Sequence, residues 1–168
     1  MVHQETDFLT RDECKFLIDI HKHVNDYPLK RVHRDTTLVD CSSYISMSRL
    51  DLANNTYFDF LRYIESKITA HIKSFDENAF INYFECVHWP TGSSQPAHKD
   101  FDYHPWTSII YLNDTYGGGE TFVGDVDLQQ IVPVQGKIIT FKGSRDTHGV
   151  CEVTSGERFT CPIWYKSV

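Results

Sequence analysis

The spacing of hydrophobic residues predicts an amphipathic helix near the start of the chain. The pattern runs from Leu9 to about Asn25, with apolar side chains at three- and four-residue intervals: Phe16, Leu17, Ile20 and Val24. Thr10 and Glu13 have the spacing of a capping box, which satisfies backbone donors at a helix N-terminus. Pro28 disfavours helical backbone at the residue before it, so the helix is expected to end there.

A second and stronger helical pattern occupies Asn54 to Phe75. Its apolar face consists of Tyr57, Leu61, Ile64, Ile68, Ile72 and Phe75. His71 lies beside this face, which predicts a packed helix residue rather than a metal ligand. Between the two helices, residues 29–35 are polar and predict a loop. β-Branched residues with partial alternation predict a strand within Thr36 to Leu50.

Beyond Asn78 the pattern changes to short apolar or alternating runs separated by turn residues, which is typical of β-strands. The predicted strands span residues 79–89, 106–112, 120–123, 131–134, 137–141, 147–153 and 157–166. No Lys-Ser/Thr pair follows Gly117-Gly118-Gly119, so these glycines predict a hairpin turn rather than a phosphate loop. Helices followed by strands indicate one α+β domain over residues 1–168, with helical support at about 8–75 and a β core at about 78–166.

Charge and composition argue against several classes of partner. The chain has 16 basic and 23 acidic residues, a net charge of −7 and no basic run, which opposes binding to nucleic acid. No apolar run approaches the ~20 residues that span a bilayer, and residues 1–7 lack the features of a secretory signal. We therefore expect a soluble, cytoplasmic protein without a membrane partner. The sequence leaves the oligomeric state open.

The cysteines indicate reduced core residues. Their number is odd, they are scattered along the chain and they form no C-x-x-C pair: Cys14, Cys41, Cys86, Cys151 and Cys161. This distribution favours buried thiols over disulfides or zinc ligands.

Candidate metal chemistry centres on His98 and Asp100. In extended chain, residues two apart project from the same face, so this imidazole and carboxylate could hold one ion together. His148, in the segment Asp146-Thr147-His148-Gly149-Val150, is the candidate for a third ligand from a neighbouring strand. Two histidines and one carboxylate on one face of an octahedral ion leave positions open, an arrangement favoured by non-haem Fe(II) that activates O₂.

The pair His33 and Asp35 repeats the His-x-Asp motif and competes with this assignment. Its flanks are basic and polar, and no strand pattern leads into it, so we do not expect it to bind the metal. A place in a mobile loop that contacts the substrate is the alternative for these two residues.

Arg158 is the candidate anchor for an anion. A two-residue loop at Ser155-Gly156 would place Arg158 on the face opposite His148, because side chains alternate along a strand. A three-residue loop with Gly156 in the left-handed region would pair Glu152 with Arg158 and put Arg158 and His148 on one face. The distance left between the Arg158 guanidinium and the metal would suit a short dicarboxylate, which chelates the ion at one end and binds the guanidinium at the other. Tyr111, which alternates with Thr107 and Ile109, could add a phenolic hydrogen bond to the same carboxylate.

These motifs together resemble the 2-oxoglutarate/Fe(II) dioxygenases, prolyl 4-hydroxylase branch. The resemblance covers about residues 80–165 and rests on His98-x-Asp100, His148, Arg158 ten residues later, the segment 107–113 and Gly118-Gly119-Glu120-Thr121-Phe122. It implies a double-stranded β-helix, or jelly roll, in which the catalytic residues His98, Asp100 and His148 bind Fe(II). It also implies that Arg158 and Tyr111 bind the distal carboxylate of 2-oxoglutarate, that Trp164 lines the pocket, and that O₂ and ascorbate act as co-substrate and reductant.

Two features depart from the common pattern of that family. Collagen-type members usually carry Lys where this chain has Arg158, whereas oxygen-sensing members use Arg. The family often has a Tyr-containing loop before the first ligand, where this chain has His88-Trp89-Pro90 and Gln95. For the substrate we expect a proline-containing peptide or protein in extended conformation, between the 88–97 loop and residues 29–40. The aromatic residues nearest the first ligands in sequence are its expected contacts: Trp89, Tyr103 and Trp106.

Two other functions remain open at this point. The same cofactors could serve the hydroxylation of a free amino acid or small metabolite. A metal-containing jelly-roll binding domain without turnover is the third possibility, although the intact Asp100 and the carboxylate anchor Arg158 count against it. Nucleobase repair is disfavoured by the acidic balance of the chain.

Overall fold

The computed structural model describes residues 1–48 and 55–168. Its helices are α1 Arg11–His23, α2 Cys41–Ser48 and α3 Thr56–Lys73. Its strands are β1 His3–Glu5, β2 Lys30–His33, β3 Thr36–Asp40, β4 Ala79–Trp89, β5 Gln95–His98, β6 Trp106–Tyr111, β7 Gly117–Gly118, β8 Thr121–Val123, β9 Gln129–Ile131, β10 Ile138–Phe141, β11 His148–Val150, β12 Val153–Ser155 and β13 Arg158–Ser167. None of the described helices is long and apolar enough to cross a membrane.

The strands form two main antiparallel sheets with a cavity between them. The larger sheet has seven strands in the order β1-β10-β6-β13-β4-β3-β2, and the smaller has four in the order β5-β11-β8-β9. The strands β12 and β7 form a third, two-stranded sheet. Helices that precede most of the strands and cover one face of the larger sheet complete the α+β jelly roll that the sequence predicted.

The strand β4 separates the helical core from the cavity. Its residues alternate, so that Phe84 and Cys86 pack into the helical core while Glu85 and Val87 line the cavity. On the helical side, α1 and α3 bury the faces predicted from their periodicity: Leu17, Ile20, Leu61, Ile64, Ile68 and Ile72. The rigid wall of the cavity is thus the back of a well-packed core.

Local capping signals are confirmed. Thr10 is the N-cap of α1, and both reciprocal hydrogen bonds with Glu13 are present. His71 is a packed residue of α3, as predicted: its side chain is 7% exposed and its Nε2 lies 2.8 Å from Thr140 Oγ1. The predicted ends at Leu50 and Asn54 lie outside the described residues.

Of the two predictions for residues 29–50, the loop at 29–35 is wrong and the strand within Thr36 to Leu50 is confirmed. Residues Lys30–His33 form an edge strand rather than a loop, because β2 pairs on one side only and needs no alternating apolar residues. The strand predicted after Thr36 stops at Asp40, and Cys41–Ser48 is helical. Asp40 Oδ1 accepts from Ser43 N at 2.9 Å, a capping contact that begins this helix.

The predicted C-terminal hairpin is also wrong. Gly156 does have a positive φ of 72°, but β12 pairs with β7 and the following strand β13 pairs with β4 and β6. The three-glycine segment is therefore a pairing strand at Gly117–Gly118 rather than only a turn. The strand predicted at 131–134 lies earlier, at Gln129–Ile131. All five cysteines are free, and four of them are buried.

Candidate active site

The candidate metal ligands come together at one end of the smaller sheet. His98 ends β5 and His148 begins β11, and the two residues are direct partners in the antiparallel pair. Asp100 Oδ1 lies 3.6 Å from His98 Nε2 and 3.4 Å from His148 Nε2. All three ligand atoms lie within 4.8 Å of one another, a spacing that could hold a single metal ion.

Backbone carbonyls orient both imidazoles. Nδ1 of His98 lies 2.9 Å from the carbonyl oxygen of Pro96, and Nδ1 of His148 lies 2.8 Å from that of Asp146. A carbonyl only accepts, so each Nδ1 carries the proton and each Nε2 presents a lone pair. Metal-binding histidines are commonly fixed in this way. Both rings are thus set in the tautomer that Fe(II) requires.

Asp100 is held with one carboxylate oxygen free. Thr107 Oγ1 donates to Oδ2 at 2.6 Å, and the backbone N–H donates to Gly143 O at 2.9 Å, which leaves Oδ1 turned to the histidines. Burial raises the pKa of Asp100, but the hydrogen bonds that His148 and His98 donate in their protonated form, together with the one from Thr107, outweigh burial and hold the pKa well below the usual range. A Cβ at Gly143 would collide with Thr107 Oγ1 and Asp100 Oδ2, so the site needs glycine there.

A cavity of about 460 Å³ extends from these ligands between the two sheets. Arg158 lies in its wall and is only 1% exposed. Its Nη2 donates to Thr121 Oγ1 at 3.0 Å, and its guanidinium carbon lies 4.8 Å from the centroid of the Trp89 ring. Within residues 1–48 and 55–168, no carboxylate lies within 4.0 Å of this guanidinium.

Two buried polar atoms at or near Arg158 lack hydrogen-bond partners in the part of the chain that the structure describes. Arg158 Nε and the Tyr116 hydroxyl are buried and have no hydrogen-bond partner among the described residues. Burial raises the pKa of Tyr116 to about 12, so the hydroxyl remains a donor. A buried cation without a counter-charge and buried donors without acceptors are costly unless a ligand supplies them. The end of the cavity around Arg158 therefore fits a carboxylate.

The other two predicted cofactor contacts, Tyr111 and Trp164, have different positions. Tyr111 is fully buried, and its hydroxyl donates to Thr121 Oγ1 at 2.7 Å, the same oxygen that accepts from Arg158. Trp164 lines the cavity and stacks on Tyr83, with ring centroids 4.6 Å apart. Tyr111 does not line the cavity and donates its one hydroxyl proton to Thr121, so it is not placed to make the predicted hydrogen bond to a carboxylate, whereas Trp164 does line the cavity.

The three aromatic residues predicted to contact a peptide have different positions. Trp89 lines the cavity, over the Arg158 guanidinium. Tyr103 is 56% exposed and stacks on Phe101 outside the cavity. The prediction that Trp106 contacts a peptide is wrong. Trp106 lies on the opposite face of β6 from Thr107 and packs against Phe75. Its Nε1 donates to Asp76 Oδ2 at 3.3 Å. It does not line the cavity.

The competing pair His33 and Asp35 lies at the mouth of the cavity, beside the turn between β2 and β3. The strand β2 ends at His33, so the expectation that no strand leads into this pair was wrong. Asp35 Oδ2 accepts from Ser94 N at 3.3 Å, a contact that joins this hairpin to the loop before His98. The pair does not belong to the candidate metal group.

Sequence reasoning missed a buried acid in the cavity wall. Glu85 lines the cavity, is 8% exposed and has its Oε1 4.0 Å from Arg31 Nη2. Burial and the nearby Asp40 raise its pKa to about 7, while Arg31 lowers it. Thr107, Thr121 and Gly143 were missed as well. The alternation of Thr107 with Ile109 and Tyr111 was the one available signal for a residue on the cavity face.

Comparison with known proteins gives consistent results. The family model of the 2OG-Fe(II) oxygenase superfamily matches residues 59–166. Prolyl 3-hydroxylase 2 of Mus musculus is 32% identical over 75 residues, which is 42% of this chain and 10% of that protein. Prolyl 3-hydroxylase 3 of Mus musculus is 30% identical over 86 residues, which is 48% of this chain and 12% of that protein. The chain spans about a tenth of the length of these relatives.

Solved structures share the fold over the whole chain. The viral collagen prolyl hydroxylase from Paramecium Bursaria Chlorella virus-1, in its 2OG complex, has a TM-score of 0.68 at 19% identity and covers 99% of this chain and 96% of its own. The prolyl hydroxylase from Trichoplax adhaerens, in complex with a hypoxia inducible factor peptide fragment, has a TM-score of 0.77 at 14% identity. That alignment covers 99% of this chain and 83% of the other. At these identities the similarity shows the jelly-roll fold.

Proposed function

The chain belongs to the 2OG-Fe(II) oxygenase superfamily, and from that membership we propose that it is a 2-oxoglutarate- and Fe(II)-dependent dioxygenase that hydroxylates prolyl residues of a peptide or protein. The overall reaction converts 2-oxoglutarate, O₂ and a C–H bond into succinate, CO₂ and an alcohol. When bound, Fe(II) and 2-oxoglutarate would supply the activation of O₂ for this reaction. An external reductant, for which we propose ascorbate, keeps the iron ferrous.

One observation carries the proposal: three candidate iron ligands and an unpaired buried cation share a single cavity. Nε2 of His98, Nε2 of His148 and Oδ1 of Asp100 converge, which would leave the remaining positions of an octahedral ion open. Arg158 would bind the distal carboxylate of 2-oxoglutarate through its guanidinium fork. Tyr111 would hold Arg158 through Thr121, and Trp164 would line the pocket.

The mouth of the cavity supports a substrate in extended conformation. The β2–β3 hairpin and the loop before His98 both line the opening and are joined through Asp35 and Ser94. We propose that a proline-containing chain lies between them, with Trp89 deeper in the cavity than the exposed Tyr103. The sequence relatives named above are prolyl 3-hydroxylases, and the sequence motifs resemble the prolyl 4-hydroxylase branch, so either ring carbon is a candidate for hydroxylation.

The test is an incubation of a panel of prolyl peptides with Fe(II), ascorbate and 2-oxoglutarate under ¹⁸O₂. We expect one ¹⁸O atom on proline and an equal amount of succinate. NMR of the product gives the position of the hydroxyl group. His148→Ala should abolish both products and weaken Fe(II) binding measured by calorimetry. His23→Ala, on the exposed end of α1, is the matched control. Hydroxylation of a free amino acid and of no peptide would favour the metabolite hydroxylase instead.

A further inference from the structure

Glu85 projects from β4 into the cavity that the metal ligands and Arg158 also line. Its side chain is 10% exposed, and its neighbours on the same face, Tyr83 and Val87, also line the cavity. The residues between them, Phe84 and Cys86, are fully buried in the helical core. The alternation of the strand therefore fixes the direction of the Glu85 carboxylate toward the space a ligand would occupy.

The carboxylate of Glu85 is poorly satisfied by the protein. Within the described parts of the chain, no donor forms a hydrogen bond with it, and the nearest cation is Arg31 Nη2 at 4.0 Å. That guanidinium lies closer to Asp40, at 3.5 Å, and is 42% exposed. Asp40 is occupied in turn, because it accepts from the backbone N–H and the hydroxyl of Ser43. Two carboxylates thus share one partly solvated cation.

The position of Glu85 is suited to a substrate rather than to 2-oxoglutarate. Tyr83 on β4 and Thr107 on β6 both pair with Trp164, and Thr107 holds Asp100. Glu85 lies two residues, about 7 Å of strand, from Tyr83. Arg158 pairs with Trp89, four residues or about 13 Å from Glu85. A molecule at the metal could therefore contact Glu85 without displacing a carboxylate from Arg158.

We propose that Glu85 binds a cationic nitrogen of the substrate, so that the preferred substrates carry an amine or guanidinium near the prolyl ring. This inference rests on the proposed function. A buried carboxylate without hydrogen-bond donors gains most from a ligand that supplies both charge and N–H groups. The raised pKa of Glu85, which burial causes, is consistent with a group that lacks such a partner in the unliganded protein.

The cationic nitrogen has two possible sources, and matched probes separate them. A free or N-terminal proline offers its own secondary ammonium, whereas an internal proline needs a basic side chain beside it. The first pair of probes is prolinamide and N-acetylprolinamide. The second pair is a prolyl peptide with Lys next to proline and the same peptide with acetyl-lysine. Each pair differs by one positive charge and one acetyl group, and the Glu85→Gln variant separates the effect of charge from that of size.

The experiment measures equilibrium binding and turnover for both pairs. Binding is measured by calorimetry without O₂, on protein loaded with Mn(II) and 2-oxoglutarate. We expect the wild type to prefer the charged member of at least one pair by tenfold or more in Kd and in kcat/KM. Glu85→Gln should bring that ratio close to one while 2-oxoglutarate binding stays unchanged. Glu77→Gln, at an exposed turn, is the control and should retain the ratio.

The outcomes separate this inference from the proposed function. A preference in the first pair alone identifies a free amine as the source, and a preference in the second pair alone identifies a basic side chain. Charge-dependent binding that requires Glu85, without any hydroxylation, would support the inference and reject prolyl hydroxylation. Equal use of charged and neutral probes by the wild type, or an unchanged preference in Glu85→Gln, would overturn the inference.

Discussion

Two buried charges face the same cavity, and the protein holds them in different ways. Arg158 is enclosed by Trp89 and Tyr111, with Thr121 bonded to its guanidinium. Glu85 has only the distant and partly exposed Arg31 as a counter-charge. Opposite charges in a protein interior are normally paired, yet these two lie about 13 Å apart along the strands and do not meet. Each is therefore available to a ligand.

The difference between the two ends reflects the ligands that we propose for them. A cofactor that is identical in every turnover favours a preformed anchor, since rigid side chains lose little entropy on binding. A substrate that varies beyond its reacting ring is better served by a charge with a mobile partner. Arg31 can turn to solvent when a cationic ligand reaches Glu85, because its side chain is 42% exposed.

The largest expected effect is the loss of 2-oxoglutarate affinity when Arg158 is replaced. Arg158→Ala should weaken 2-oxoglutarate binding by more than 100-fold, because a buried, hydrogen-bonded charge pair is lost, at a cost of about 3 kcal/mol. Arg158→Lys should lose less, since a point charge remains without the planar fork. Calorimetric titration of 2-oxoglutarate in the presence of Mn(II) measures both. Glu85→Gln is the control at the other end, and equal affinity in wild type and Arg158→Ala would remove the anchor role.

The second effect is the pH dependence of folding stability that Glu85 causes. The pKa of Glu85 rises from its usual value near 4.5 to about 7, so the folded protein keeps a proton that the unfolded chain loses. Stability should therefore fall as pH rises from about 4.5 to 7, with no penalty below that window and the full penalty above it. Glu85→Gln removes the penalty, by up to about 3 kcal/mol above pH 7.

Chemical denaturation of wild type and Glu85→Gln between pH 4 and pH 8 measures this difference. Among the residues that the structure describes, two charged groups face Glu85, Asp40 from β3 and Arg31 from β2, and both remain in the variant. Glu77→Gln serves as the exposed control, with a difference from wild type that should not vary with pH. A flat difference for Glu85→Gln would mean that Glu85 ionises normally in the folded protein.

The third effect is on metal binding, and it should leave the difference between Arg158 and Glu85 unchanged. Thr107→Val keeps the shape of the side chain but removes the hydrogen bond to Asp100 Oδ2. Loss of such an outer contact commonly weakens metal binding by about 10- to 100-fold. Fe(II) or Mn(II) titration measures the change, and activity with charged and neutral probes should fall in equal proportion. Thr91→Val, on the exposed loop, is a matched control.

The smallest expected effect tests the rigidity of the Arg158 pocket. Thr121→Val removes the hydroxyl that accepts from both Arg158 and Tyr111. A buried hydrogen bond lost on one side costs about 1–3 kcal/mol, so 2-oxoglutarate binding should weaken by about tenfold. Saturating 2-oxoglutarate should restore turnover if the iron ligands are undisturbed. An unchanged dissociation constant would show that Trp89 alone orients the guanidinium.

The features predicted correctly from sequence depend on local patterns. The capping box of Thr10 and Glu13 and the bounds of β4 follow from neighbours in the chain. His98 and Asp100 share a face because they are two residues apart, and the proximity of His148 followed from the chemistry of a three-ligand ion. The helix of Cys41–Ser48 was missed, although Asp40 three residues before Ser43 is a capping signal.

The features that failed depend on long-range pairing. The predicted face of Arg158 depended on the assumption that the strands on either side of Gly156 pair with each other. In the structure, β12 pairs with the distant β7. Arg158 faces the cavity because of its place in β13 between β4 and β6. Glu85 was missed because an acidic residue in an alternating strand normally predicts the solvent side. Only the sheet order shows that both faces of β4 are covered.

The buried cysteines have a consequence for durability in air. The oxygenase that we propose would encounter partly reduced oxygen species, and protein thiols react with these mainly as thiolates. Burial raises the pKa of Cys14 to about 12 and that of Cys41 and Cys161 well above its usual value. These thiols stay protonated and out of reach, so oxidative ageing should begin at the half-exposed Cys151 and leave the helical core unmodified.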